Sequence, residues 1–339
     1  MVTQEIGSSF VICCDFPMTF SSIDFVCHSD WSVNPRKRWF ATAKLQDNYR
    51  WRVSPPKQVS DPATFFSDLQ SLSSSAGCIL AGFDFPIGLP AQYAYAAGIK
   101  DFLATLPYLG HGKWHQFYQP AETPDQISIY RPFYPRRPGN AKRLHLEQGL
   151  NLSFNHIYRL CELAHNNRRA ACPLFWTLGG QQVGKAAIHG WKELLAPSLS
   201  RPDLHLKIWP FSGHLAEICL PGNIVAVETY PAEYYVHLDI LRPVDRTSKR
   251  SLSGRKYYAM QLFSWADLLR MDLDNTLHAS ILDGFGDHLN GEDQFDALIG
   301  LYGMINVLAG NHPAGEPLTP QASKVEGWIF GQEQLGSDI

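Results

Sequence analysis

Five carboxylates stand where short apolar runs start or stop: Asp30 closes FVCHSD, Asp84 follows CILAGF, Glu228 closes NIVAVE, and Asp293 and Asp296 open DQFDALIGLYG. An acid at a strand end adds little to a core, but several strand ends of one sheet converge on a small volume and can hold a divalent cation there. Mg²⁺ and Mn²⁺ take hard oxygen ligands of this kind. In-line attack on a phosphodiester needs an activated water, neutralised equatorial oxygens and a stabilised leaving oxygen, which two cations about 3.5–4 Å apart supply. The pattern therefore points to metal-dependent chemistry on phosphate. Each acid also has a structural alternative. Asp84 can cap the turn begun by Pro86, Glu228 can pair with an arginine, and Asp293 suits the positive end of a helix whatever the function. Asp296 lies one turn further along the same helical face, beside the small Ala297. Asp15, after SFVICC, competes with Asp30. Asp30 is preferred because DWSVNPRKRWFATAKL directly supplies its antiparallel partner, and His28, two residues earlier, should share its face.

The cations that could meet phosphate fall in three groups: Arg36, Lys37 and Arg38; Arg131, Arg136 and Arg137; and Arg246, Lys249, Arg250, Arg255 and Lys256. The first reads as a soluble hairpin turn. The third follows the Glu228 run and suits a phosphate backbone or a phosphorylated small molecule. Arg136 and Arg137 sit among Tyr130, Phe133 and Tyr134, aromatics that either stack on bases or pack on one another. GGQQVGKA at 179–186 matches a phosphate-loop spacing, yet Ala186 stands where a metal-binding hydroxyl is required. Close helix packing at Gly184 explains it better. No histidine spacing makes a zinc site.

The 339 residues carry a formal net charge of −3, which disfavours non-specific wrapping of nucleic acid but allows a local basic groove. Seven cysteines, odd in number and without knuckle spacing, read as reduced thiols of a cytoplasmic protein. The amino-terminal run has no basic region before it and no apolar stretch reaches membrane-spanning length, so neither a secretory signal nor a membrane segment is expected.

Strands at 23–30, 38–45 and 49–53, joined by VNPRK and QDN, predict an antiparallel meander. A helix follows, with Ser60 as its N-cap, Pro62 in its first turn and Phe65, Phe66, Leu69 and Leu72 on one face. CILAGF at 78–83 reads as a central strand covered on both sides. Residues 91–204 break the rhythm and read as a helical and looped insertion, with helices at about 142–167 and 182–196, suited to substrate selection. Strands resume at 205–211 and 223–231, and helices follow at about 254–270, 273–283 and 293–309. KVEGWIF at 324–330 is a short strand or return loop. The expected organisation is an extension at 1–22, one domain at 23–330 and a tail at 331–339. The fold class is α/β, with a mixed sheet of about five or six strands and helices on both faces. The rival is a doubly wound sheet with parallel opening strands.

This order of elements and acids resembles the ribonuclease H-like superfamily. FDFPIGLP at 83–90, WPF at 209–211, ETYPAE at 228–233, DQFDALIGLYG at 293–303 and EGWIF at 326–330 resemble, more narrowly, the DUF429 family of predicted nucleases. The resemblance spans roughly 25–330. It implies Asp30, Glu228 and Asp296 as core acids, with Asp84 and Asp293 in support, and Mg²⁺ or Mn²⁺ as the cofactor of a two-metal phosphodiester hydrolysis. Two other readings remain open: an actin-like phosphotransferase, for which SDWSVNPRK lacks the glycine-rich turn, and a non-catalytic binder of phosphorylated ligands.

Overall fold

The computed structural model describes residues 20–74, 76–134, 137, 140, 142–164, 168–178, 182–240, 248–288 and 290–333. Asp15, Arg136 and Arg246 lie outside these, with most of the expected extension and tail. The opening strands follow their turn chemistry. β1 (Ile23–Asp30), β2 (Trp39–Leu45) and β3 (Trp51–Gln58) form an antiparallel meander. Asn34 accepts a hydrogen bond from Arg36 N and starts a single 3₁₀ turn, Pro35–Lys37, so the first connection has no crossover helix. That overturns the doubly wound alternative. β3 runs past residue 53 through Pro55 and Pro56, which fit because the register with β2 shifts between Phe40 and Thr42.

β4 (Cys78–Phe83) lies parallel to β1 and is buried at every position, as its unbroken apolar run requires. β6 (Ile224–Glu228) is parallel to β4, and β5 (Leu206–Ile208) is parallel to β6. β7 (Met271–Leu273) joins β3 at the far edge, pairing only with Trp51–Val53. The result is a seven-stranded mixed sheet in the order β5-β6-β4-β1-β2-β3-β7. The strand beyond the expected count is β7, too short to leave a period in the sequence.

The sheet separates two cores. Phe25, Cys27, Ala81, Phe83 and Ala226 face the helix Phe65–Ser73 and the insertion. Val26, Leu80, Val225 and Val227 face the helices of the carboxy-terminal third. The first helix is entered from Thr64 rather than Ser60. In the insertion, the helix from Arg143 stops at Leu150, well short of 167, because Asn151 takes a left-handed conformation with φ of 53°. The next helical run spans Val183–Leu199, π-helical over Gly190–Leu195. Its Trp191 Nε1 donates to the carbonyl of Pro86 at 2.7 Å and ties the insertion to the exit of β4. Phe133 and Tyr134 are fully buried, so packing wins over base stacking for both.

The helix Gly291–Leu308 is buried along most of its length and crosses β1 and β2. Gly300 permits the approach: a Cβ there would lie 2.0 Å from Cε1 of His28. Among the described residues, no helix is long and apolar enough to cross a membrane.

Candidate active site

Parallel register brings the first two acids together. Ser29 pairs with Phe83, so the residues after them, Asp30 and Asp84, leave the sheet side by side. The backbone supports this: Trp31 N donates to Asp84 Oδ1 at 2.6 Å, and Asp84 N donates to the Ser29 carbonyl at 3.3 Å. The two carboxyls are neighbours at the strand ends, and each affects the other's ionisation. Burial, reinforced by the neighbouring acids, pushes Asp30 well above the usual carboxylate range, and burial carries Asp84 to about 6.

The helix Gly291–Leu308 brings the next two. His28, on the Asp30 face of β1 as expected, sets its height: Nδ1–H donates to the Ala297 carbonyl at 3.2 Å, and Nε2 lies 3.0 Å from Thr229 Oγ1. Asp296 precedes Ala297 and is carried over the edge of the sheet beside Asp30. Tyr235 OH donates to its Oδ1 and the Lys249 ammonium to its Oδ2. Asp293 sits one turn earlier. Burial lifts it to about 6, opposed by the charge of Lys37, and its Oδ2 is shut from solvent without a hydrogen-bond partner. All four aspartates act electrostatically on Asp30 or belong to it.

Glu228 stands apart, and the sequence expectation of a metal ligand there is corrected. It pairs with Phe83, and a strand alternates, so its side chain points to the opposite face from Asp30 and Asp84. Thr229 occupies the acid face instead. The Glu228 carboxylate is fully engaged by Arg159, at 2.6 and 2.7 Å, and by Ile87 N at 2.6 Å. Arg159 also binds Glu162 at 2.9 Å and the Glu326 carbonyl at 3.1 Å, which welds the insertion to the sheet. The arginine pairing weighed for Glu228 is the arrangement found. Nothing in the sequence marks Arg159 as its partner.

The basic residues divide likewise. Lys249 enters the acid cluster. Arg255 is buried, and its guanidinium bonds the carbonyls of Lys249, Arg250, Gly284 and Gly286, so it holds backbone and has no face for phosphate. Lys256 pairs with Asp283 at 3.0 Å on the surface, Arg250 is exposed with Glu292 at 3.8 Å, and Arg137 is exposed. Arg38, read as a surface charge, is buried, stacked on Trp31 at 4.9 Å and paired with Glu193 at 2.8 Å. Lys37 beside it is the hairpin cation that reaches the site. Gly184 packs on the Leu174 carbonyl, where a Cβ would lie 2.5 Å away, in keeping with its reading as a packing glycine.

Asp84 and Asp296 line a cleft of about 860 Å³. Trp31–Asn34 and Lys37 line one wall, Cys172, Gln182, Val183 and Ala186 of the insertion another, and Tyr230, Pro231, Tyr235 and Lys249 the floor beside Asp84 and Asp296. Tyr235 went unmarked in the sequence; its only signal is its place in the first turns after ETYP. As the side chains stand, with Asp296 turned to Tyr235 and Lys249, no group of three or more His, Cys, Asp or Glu among the described residues is arranged to hold a metal ion. No family profile, curated protein or solved structure matches this chain.

Proposed function

We propose that the protein is a metal-dependent phosphodiester hydrolase of the ribonuclease H-like type, acting on nucleic acid in the cytoplasm with Mg²⁺ or Mn²⁺. The observation that carries this reading is the convergence of Asp30, Asp84, Asp293 and Asp296, two of which, Asp84 and Asp296, line a substrate-sized cleft. The strand order supports it too, with an antiparallel β1–β3 meander followed by parallel β4 and β6. The donor types suit a hard divalent cation: four aspartates on rigid elements, three of them raised above the usual carboxylate range chiefly by burial, and an Asp293 oxygen shut from solvent without a hydrogen-bond partner.

A bound cation would activate water and neutralise charge on the phosphate. The chain's own residues do the rest. Asp30 and Asp84 present oxygens from adjacent strand ends once both are ionised. Tyr235 fixes the rotation of Asp296. Lys37 and Lys249 face a phosphate in the cleft as cations. The insertion supplies the wall nearest the substrate, so it is where the kind of nucleic acid is selected.

Two measurements test the reading. Calorimetric titration with Mn²⁺ should give binding to the wild-type chain that is lost in the Asp30→Asn, Asp296→Asn double variant. Incubation with single-stranded, duplex, branched and hybrid nucleic acids should give Mg²⁺- or Mn²⁺-dependent cleavage that disappears in Asp296→Asn. Equal, weak Mn²⁺ binding by both proteins would reject it.

A further inference from the structure

We infer that Tyr230 is a stacking platform for a nucleobase, so that the cleft takes single-stranded nucleic acid, with a base on the Tyr230 ring and phosphate toward Lys37 and Lys249. The inference rests on the reading of the cleft as a nucleic-acid site and names the kind of nucleic acid. It does not depend on a bound metal.

Three aromatic residues line the cleft: Trp31, Tyr230 and Tyr235. Two are engaged by the fold. Trp31 is buried, edge-on to Phe65, Phe83 and Phe85, with Arg38 over its ring. Tyr235 is buried too, stacked on Phe295 and with its hydroxyl on Asp296. Tyr230 is half-buried. Arg168 of the insertion lies over it, with Cζ 5.3 Å from the ring centre. That guanidinium is itself fixed, by Glu233 at 2.8 Å and by the carbonyls of Cys161 at 2.7 Å and Leu163 at 3.2 Å. Arg168 does not line the cleft, so the ring is braced from behind and meets the cleft with surface that the arginine leaves uncovered. A ring held in this way has little conformational freedom left to lose when a ligand settles on it.

The rest of the lining suits the two halves of a nucleotide. Val183, Ala186, Pro231 and Ala232 offer apolar surface to a base, and Lys37 and Lys249 offer cations to a phosphate. Aromatic stacking tolerates any base, because every base has a π-face, and phosphate contacts carry no sequence either. Strandedness is what the ring does select. Inside a duplex both faces of a base are covered by its neighbours and its edge is paired, so it reaches Tyr230 only after leaving the stack, at a free-energy cost that a single strand largely escapes. The cleft volume of about 860 Å³ also lies in the range of small-ligand sites, which suits nucleotides of one strand rather than a paired helix.

The test is binding of fluorescein-labelled oligothymidine and oligouridine, and of the duplex each forms with its complement, to the full chain in EDTA, read by fluorescence anisotropy. The single strands should bind more tightly than the duplexes. Tyr230→Leu should weaken single-strand binding roughly tenfold, and Tyr230→Phe, which keeps the ring, should stay near wild type. Irradiation of a strand carrying 5-iodouracil should crosslink it to Tyr230, located by mass spectrometry, which a ring that only supports the fold would not give. Equal or tighter duplex binding, or wild-type single-strand affinity in a folded Tyr230→Leu, would overturn the inference and leave the hydrolase reading standing. Single-strand preference without metal-dependent cleavage would uphold the inference and count against hydrolysis. No binding of any strand, in EDTA or with Mn²⁺, would overturn both. Should Tyr230→Leu fail to fold, the crosslinked position and the single-strand preference of the wild type still decide.

Discussion

The ring of His28 fills the space that a side chain at position 300 would need, with Cε1 only 2.0 Å from an ideal Cβ on Gly300. This contact, with the hydrogen bond from His28 to Ala297 one turn earlier, sets the helix Gly291–Leu308 on β1 and so sets Asp296 over Asp30. Gly300→Ala raises helix propensity by about 1 kcal/mol. It also drives a methyl group into a buried ring held at both nitrogens, and overpacking of that kind typically costs about 1–3 kcal/mol. Overpacking should win. Urea unfolding should show Gly300→Ala less stable than wild type by about 1 kcal/mol or more, with Mn²⁺ affinity reduced as the acids on the helix move away from the sheet.

His28 also gives the fold an acid-sensitive joint. Burial holds its pKa down at about 3, against 6.5 for the free side chain, with the Ala297 hydrogen bond opposing in part. The folded state therefore keeps His28 neutral while the unfolded chain protonates it. The associated stability is complete above pH 6.5 and is lost as pH falls from there toward 3. At about 1.4 kcal/mol per pH unit, roughly 2 kcal/mol should disappear between pH 6.5 and 5. His28→Gln keeps a donor and an acceptor but cannot titrate. Chemical denaturation of both proteins at the two pH values should show the wild type losing that much more than the variant. Parallel curves would place the sensitivity elsewhere.

The burial of Asp30 beside Asp84 acts in the other direction. Burial, with repulsion from neighbouring acids, raises the folded-state pKa of Asp30, so the carboxyl contributes stability while protonated and loses it as pH rises through that value. Asp30→Asn removes the repulsion. It should raise the melting temperature at pH 8 more than at pH 5, by a free energy on the order of 1 kcal/mol, while abolishing Mn²⁺ binding. A gain in stability joined to a loss of binding marks an acid kept for function. Thermal melts at the two pH values, paired with calorimetry, check both.

The acids were legible because each stands where an apolar run starts or stops, and four of the five come together in the fold. What the residue pattern does not carry is parity. Glu228 closes its run just as Asp30 closes its own, but whether a strand-end residue faces one layer or the other depends on pairing register, a property of two strands together. Asp30 and Asp84 fall on one side and Glu228 on the other. The cations were harder for a related reason. Lys249, Arg255 and Lys256 share one basic stretch, and only tertiary contacts separate the site lysine from the backbone clamp and the surface pair. The meander was legible from its turns. β7 and the break at Asn151 were not, since three residues carry no period and one left-handed asparagine ends a pattern that otherwise continues.

Glu228 and Arg159 supply the contrast that separates fold from function. Glu228 neutralises Arg159 inside the protein, together with Glu162, and both oxygens of Glu228 are occupied. Removing one partner of a buried ion pair leaves the other charge unsolvated and commonly costs about 3–5 kcal/mol. Glu162 still compensates Arg159 in a Glu228→Ala variant, which favours the lower end of that range. Arg159→Ala leaves two buried carboxylates unpaired and should be the more damaging change. Because Glu228 points away from the cleft, Glu228→Ala should lower stability by about 3 kcal/mol yet keep Mn²⁺ affinity within twofold of wild type, measured below its melting temperature. A large loss of Mn²⁺ affinity in a folded Glu228→Ala would return this acid to the site.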